Sequence, residues 1–83
     1  MPAHKDVSKI ENDLHRILLT AAPVNLRGER TIVHLARRLG VSRSSVWKWI
    51  ETGKLPPSRA VQIVDLSEGR VTLADLSRFV YNF

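Results

Sequence analysis

Eight consecutive residues, Leu35-Ala36-Arg37-Arg38-Leu39-Gly40-Val41-Ser42, restrict the fold of this chain more tightly than any other segment. They run directly into Arg43-Ser44-Ser45-Val46-Trp47-Lys48-Trp49-Ile50. This order of small, apolar, Gly and Ser residues is what two short helices crossing at a tight turn require. Ala36 falls where the first helix comes closest to the second, and a larger side chain would push them apart. Gly40 supplies the positive φ of the turn without a Cβ penalty. Val41 plugs the angle between the helices, and Ser42 satisfies free N–H groups where the second begins. Leu35, Leu39, Val46 and Trp49 tie both helices to a core. The pattern predicts a helix-turn-helix over 31–52.

The flanking sequence supplies helices for that motif to pack on. Residues 1–5 read as a flexible tail and residues 6–83 as a single domain. Val7, Ile10, Leu14, Ile17, Leu18 and Ala21 recur at helical spacing, with Asp6 or Ser8 available as N-cap, so helix one spans 7–21 and stops before Pro23. Residues 22–30, with Pro23, Asn25 and Gly28, form a loop. Thr31 caps helix two, which buries Ile32, Leu35, Ala36 and Leu39. Helix three, capped by Ser42, turns Val46, Trp49 and Ile50 inward and ends near Thr52-Gly53. Lys54-Leu55-Pro56-Pro57 is a stiff connector, since proline is tolerated in the first turn of the next helix. Helix four spans 57–66 and buries Ala60, Val61, Ile63 and Val64. After a turn at 67–70, Thr72 and Asp75 make an acidic variant of the capping box for helix five, which carries Leu73, Leu76, Phe79 and Val80. A short strand over 70–72 competes for its start. The economical arrangement is all-α, a compact five-helix domain around one core.

Charge is concentrated on the motif. Residues 27–59 hold eight basic side chains (Arg27, Arg30, Arg37, Arg38, Arg43, Lys48, Lys54, Arg59) against two acids, Glu29 and Glu51. The remainder holds five basic and six acidic residues, so the whole net charge of +5 sits in this stretch. A pI near 10.5 alone fits RNA, DNA or an acidic membrane equally well. Basic charge on a helix-turn-helix is the footprint of a DNA binder.

Other classes fare poorly. A chain of 83 residues builds one modest core and leaves little room for a ligand cleft of the usual ~300–1,000 Å³, so no small-molecule substrate is expected. There is no cysteine, hence no disulfide framework and no thiolate zinc site. The apolar run Ile17 to Ala22 is far shorter than the ~20 residues of a membrane span. Its mixed-charge approach does not resemble a secretory leader. His4, His15 and His34 have no partner nucleophile, carboxylate pair or i, i+4 ligand spacing. Both His15, on the polar side of helix one, and His34, on the outer side of helix two, are read as solvated. No enzyme activity, metal or cofactor is implied. RNA-binding signatures are missing too. Phe79, Val80, Tyr81 and Phe83 either close the core or offer an aromatic contact for a homodimer or another protein. The expected setting is the cytoplasm.

A helical step of ~100° per residue puts Ser44, Trp47, Lys48 and Glu51 opposite the inner face of helix three. Arg43 lies at its N-terminal tip, the part that enters a major groove first. Arg43, Ser44, Trp47 and Lys48 are therefore the candidate base contacts, with Arg43 able to fork onto guanine and Ser44 able to donate or accept. Two readings stay open for Trp47, a thymine methyl or sugar contact and a half-buried packing role beside Ile50. Lys48 could equally grip phosphate. Glu51 could accept from a cytosine amino group, but reads more simply as a solvated carboxylate near the helix end. Candidate phosphate contacts are Thr31, Arg37, Arg38, Ser42, Lys54 and Arg59. Arg27 and Arg30 bracket Gly28 in what reads as a flexible surface turn.

Leu-Ala-x-x-Leu-Gly-Val-Ser, Val-x-x-Trp, Gly-x-Leu-Pro-Pro, Ala-x-x-Ile and Gly-Arg-Val-Thr-x-x-Asp-Leu together resemble the Cro-like, lambda-repressor-like phage regulators, Cro and YdaS types in particular. The resemblance covers Leu35 to Leu76. It implies a five-helix domain, double-stranded operator DNA bound through Arg43, Ser44, Trp47 and Lys48, and transcriptional repression in a lysogeny-type switch of a bacterial host. An excisionase that bends DNA beside an attachment site is the alternative among regulators of this size. Two departures stand out: Ile32 occupies a position where such repressors often carry Gln, and the loop between helices one and two is long.

Overall fold

The structure is a computed structural model that describes residues 13–80. The expected tail over 1–5, the start of helix one with Asp6 and Ser8, His4, Tyr81 and Phe83 lie outside the described residues. Among the described residues five α-helices follow one another: α1 (Asp13–Ala21), α2 (Ile32–Leu39), α3 (Arg43–Thr52), α4 (Pro57–Ser67) and α5 (Leu73–Leu76). A 3₁₀ turn, Ser77–Phe79, extends α5. The expected all-α architecture is what the chain adopts.

Local chemistry sets most boundaries. Thr31 Oγ1 accepts from His34 N–H and opens α2. Gly40, at φ 77°, closes it, with its N–H on the Arg37 carbonyl and Val41 N–H on that of Ala36, the paired bonds of a Schellman end. Ser42 Oγ accepts from Ser45 N–H to start α3. Thr72 and Asp75 complete both halves of their capping box.

The core joins all five helices. Leu14, Leu18, Leu35, Val46, Ile50, Ile63 and Leu76 are fully buried, and Ala36 lies within the core where α2 packs on α3. Ser67 is the one buried polar residue among the described residues, and its hydroxyl accepts from Val71 N–H and lies 2.7 Å from the Val64 carbonyl it donates to. That pairing removes the penalty of a buried hydroxyl.

The structure departs from the expected packing at several points. Val61 is 50% exposed because Ala60, Ile63 and Ser67 form the inner stripe of α4, and Val61 points away from it. Leu73 is 52% exposed, since α5 lasts only four residues and buries Leu76 alone. The competing strand over 70–72 does not form; the chain there is a bend leading into the Thr72 cap. Instead Leu55 pairs with Val80 in an isolated parallel bridge, its N–H on the Phe79 carbonyl at 2.7 Å, and the connector's leucine becomes fully buried.

The loop 22–30 closes on itself. Asn25 Oδ1 accepts from Arg27 and Glu29 N–H, and Gly28 takes a φ of 78°. Arg30 and Arg70 converge on the end of α1, which has no basic residue in its own last turn. Arg30 Nη1 donates to the Ala22 carbonyl, and Arg70 donates to those of Thr20 and Ala21. These two guanidinium groups answer the partial negative charge where α1 runs out of amide partners.

Candidate nucleic-acid interface

The helix-turn-helix presents α3 to solvent along one side. Val46, Trp49 and Ile50 are buried, whereas Arg43, Ser44, Lys48 and Glu51 are exposed, as the helical step requires. Among the described residues, the side chains of Arg43 and Lys48 have no hydrogen-bonding or acidic partner. Neither α2 nor α3 carries an acid in its first turn. Their N-termini therefore keep the positive end of the helix dipole unneutralised, a setting that favours an anion.

One flank of α3 faces α1. Trp47, 39% exposed, sets its ring against His15, with centroids 5.1 Å apart and planes tilted by 51°. The indole packs on His15 and keeps an open side. His15 is half-buried against that ring, which corrects its assignment to the solvated side of helix one. His34 is likewise half-buried, on α2.

The other flank carries a depression of about 260 Å³ lined by Ser45, Lys48, Trp49, Thr52 and Lys54. Thr52 Oγ1 donates to the Lys48 carbonyl, and Ser45 Oγ lies 3.0 Å from Ser42 Oγ. Two ammonium groups and two hydroxyls thus share a concavity on the shoulder of α3. Lys48 and Lys54 are brought together there. Ser45 and Thr52 were not singled out from sequence, although their spacing with Lys48 along one helical stripe was a usable signal.

The remaining candidates divide. Ser42 and Thr31 both spend side-chain oxygens on helix caps; Thr31 keeps a hydroxyl proton to offer, whereas the Ser42 hydroxyl also shares a hydrogen bond with that of Ser45. Arg37 is exposed in the last turn of α2. Arg38 lines a separate groove of about 430 Å³ with Arg30, Asp65, Glu68 and Arg70, to which α3 contributes nothing. Arg59 Nη1 is held by the Leu39 carbonyl and Gln62 Oε1, so this arginine also closes the end of α2.

No group of three metal-ligating side chains occurs among the described residues, and no helix there is long and apolar enough to cross a membrane. Residues 30–82, a span holding the whole motif, match the family model described as bacterial toxin YdaS. No curated protein and no solved structure gives a significant match.

Proposed function

The chain belongs to the bacterial toxin YdaS family, whose helix-turn-helix is of the Cro-like type, and from that premise we propose that it is a transcriptional regulator binding double-stranded DNA by sequence. The observation that carries this reading is the outward face of α3, whose cations have no internal partner and whose amino end lacks a neutralising acid. In the proposed complex the first turn of α3 enters the major groove. Arg43 forks onto guanine O6 and N7, and Ser44 meets a neighbouring base edge. Lys48 and Lys54, in the depression beside Ser45 and Thr52, hold a phosphate of the strand walling the groove. Arg37 and the hydroxyl of Thr31 meet the backbone where α2 crosses it. Lys48 is thereby assigned to phosphate rather than to a base.

The test begins with a pool of randomised duplexes, from which the unmodified chain enriches a preferred sequence. Retardation of no duplex, even at low ionic strength, overturns the proposal. Lys48→Ala and Lys54→Ala should then each reduce the steepness of the log K against log salt plot by about 1, because each phosphate contact releases roughly one counterion. Both should weaken preferred and unselected duplexes by the same factor. An altered base preference in Lys48→Ala would return that residue to the base contacts.

The family's description as a toxin favours a second reading, that producing the chain arrests bacterial growth. We connect the two by placing the growth effect downstream of DNA occupancy. An inducible chain should then slow growth, and the Arg43→Ala, Lys48→Ala double variant, made at equal level, should not. A double variant that still arrests growth would separate toxicity from the α3 face.

A further inference from the structure

We infer that His15 is a positioning residue for the DNA-facing surface, holding the Trp47 indole in the orientation that meets the duplex. This role rests on the DNA-binding reading above and adds α1 to it. Thirty-two positions separate the two side chains in sequence, yet their ring centroids lie 5.1 Å apart at a tilt of 51°. That is the offset, inclined geometry aromatic pairs prefer, because the positive edge of one ring meets the electron-rich face of the other.

The placement of the pair gives it consequence. Trp47 is neither a core residue nor a freely solvated one: its open side, 39% of the residue, sits on the flank of α3 that faces α1, one turn along from Arg43. An indole in that position, left without a neighbour, would distribute over several χ1 and χ2 wells. Binding would then have to order it, at a cost in side-chain entropy. His15 is carried on α1, a helix anchored by Leu14 and Leu18 on either side of it and tied at its end by Arg30 and Arg70. The imidazole is thus fixed to the core before any ligand arrives. It restricts the indole to one orientation and meets that ordering cost in advance. The contact also explains an apolar ring tolerated on a polar flank: half of it is covered from within the fold, and the rest is left for a thymine methyl or a deoxyribose.

The measurement is a double-mutant cycle on the full chain, with His15→Ala, Trp47→Ala and both together, against the enriched duplex and an unselected duplex of equal length. His15→Ala should weaken the enriched duplex by about fivefold, within the range of coupling between contacting residues. The double variant should lose no more than Trp47→Ala alone, and His15→Phe, which keeps a ring, should restore most of the binding. The unselected duplex should hardly change. Thermal melting of each variant accompanies the cycle, and His15→Leu, which fills the same space without a ring, replaces His15→Ala if that variant unfolds. Losses at the two sites that multiply, or His15 variants that bind as the unmodified chain does, overturn the positioning role alone. An unmodified chain that binds no duplex overturns the DNA reading and this role with it.

Discussion

Arg43→Ala is expected to weaken binding to the enriched duplex by about 1–3 kcal/mol while leaving an unselected duplex nearly unchanged. The loss should come with a small gain in folding stability. Arg43 is the first residue of α3, is exposed, and meets no acid in the first turn. A cation at that end of a helix works against the dipole by about 0.3–1 kcal/mol, and alanine carries no such penalty. Alanine is also at least as good a helix former as arginine. The fold therefore bears Arg43 at a cost, and a bound anion is what would return it. Effects of opposite sign on binding and stability are hard to produce with a residue that merely holds the structure. Urea unfolding and duplex titration of the same variant decide the matter. Stability and binding falling together would make Arg43 part of the scaffold, and equal losses on both duplexes would move it to the phosphate contacts.

Features that act over three or four residues were legible in the sequence. Thr31, Gly40, Ser42 and the Thr72–Asp75 pair declare helix ends because their partners are the next turn of backbone. The exposed face of α3 followed from the same local geometry, so Arg43, Ser44 and Lys48 could be placed on it without knowing what packs behind. What failed depended on distant neighbours. Val61 and Leu73 are as apolar as residues that are buried, and only the position of the other helices decides that they face outward. His15 could not be matched to Trp47 because nothing near either residue marks the contact. Arg59 reads from sequence as a phosphate contact and Arg30 as part of a surface turn, yet both, like Arg70, donate to a carbonyl at a helix end elsewhere in the chain. Arginine is suited to both uses, since its fork binds a carbonyl cluster as readily as a phosphate.

Leu55→Ala should cost about 2–5 kcal/mol of folding stability, whereas Leu73→Ala should stay within about 0.5 kcal/mol of the unmodified chain. The two substitutions remove the same atoms, so their difference isolates surroundings. Leu55 is fully buried although it lies in a connector between Lys54 and Pro56, where sequence suggests only stiffness. Its N–H donates to the Phe79 carbonyl, and it bridges Val80, so its side chain enters the core held by backbone on two sides. A site pinned in this way cannot collapse around a cavity, which puts the loss toward the upper part of the range. Leu73 leaves half its surface in water, and shortening it opens no void. Against a total stability of about 5–15 kcal/mol for a small domain, the first change threatens the fold and the second does not. Urea midpoints should therefore fall steeply for Leu55→Ala at an unchanged m value and remain in place for Leu73→Ala. Equal midpoints for the two variants would mean that the connector packs loosely. Lys54, the residue just before Leu55, would then lose the anchor that keeps it beside Lys48 on the shoulder of α3.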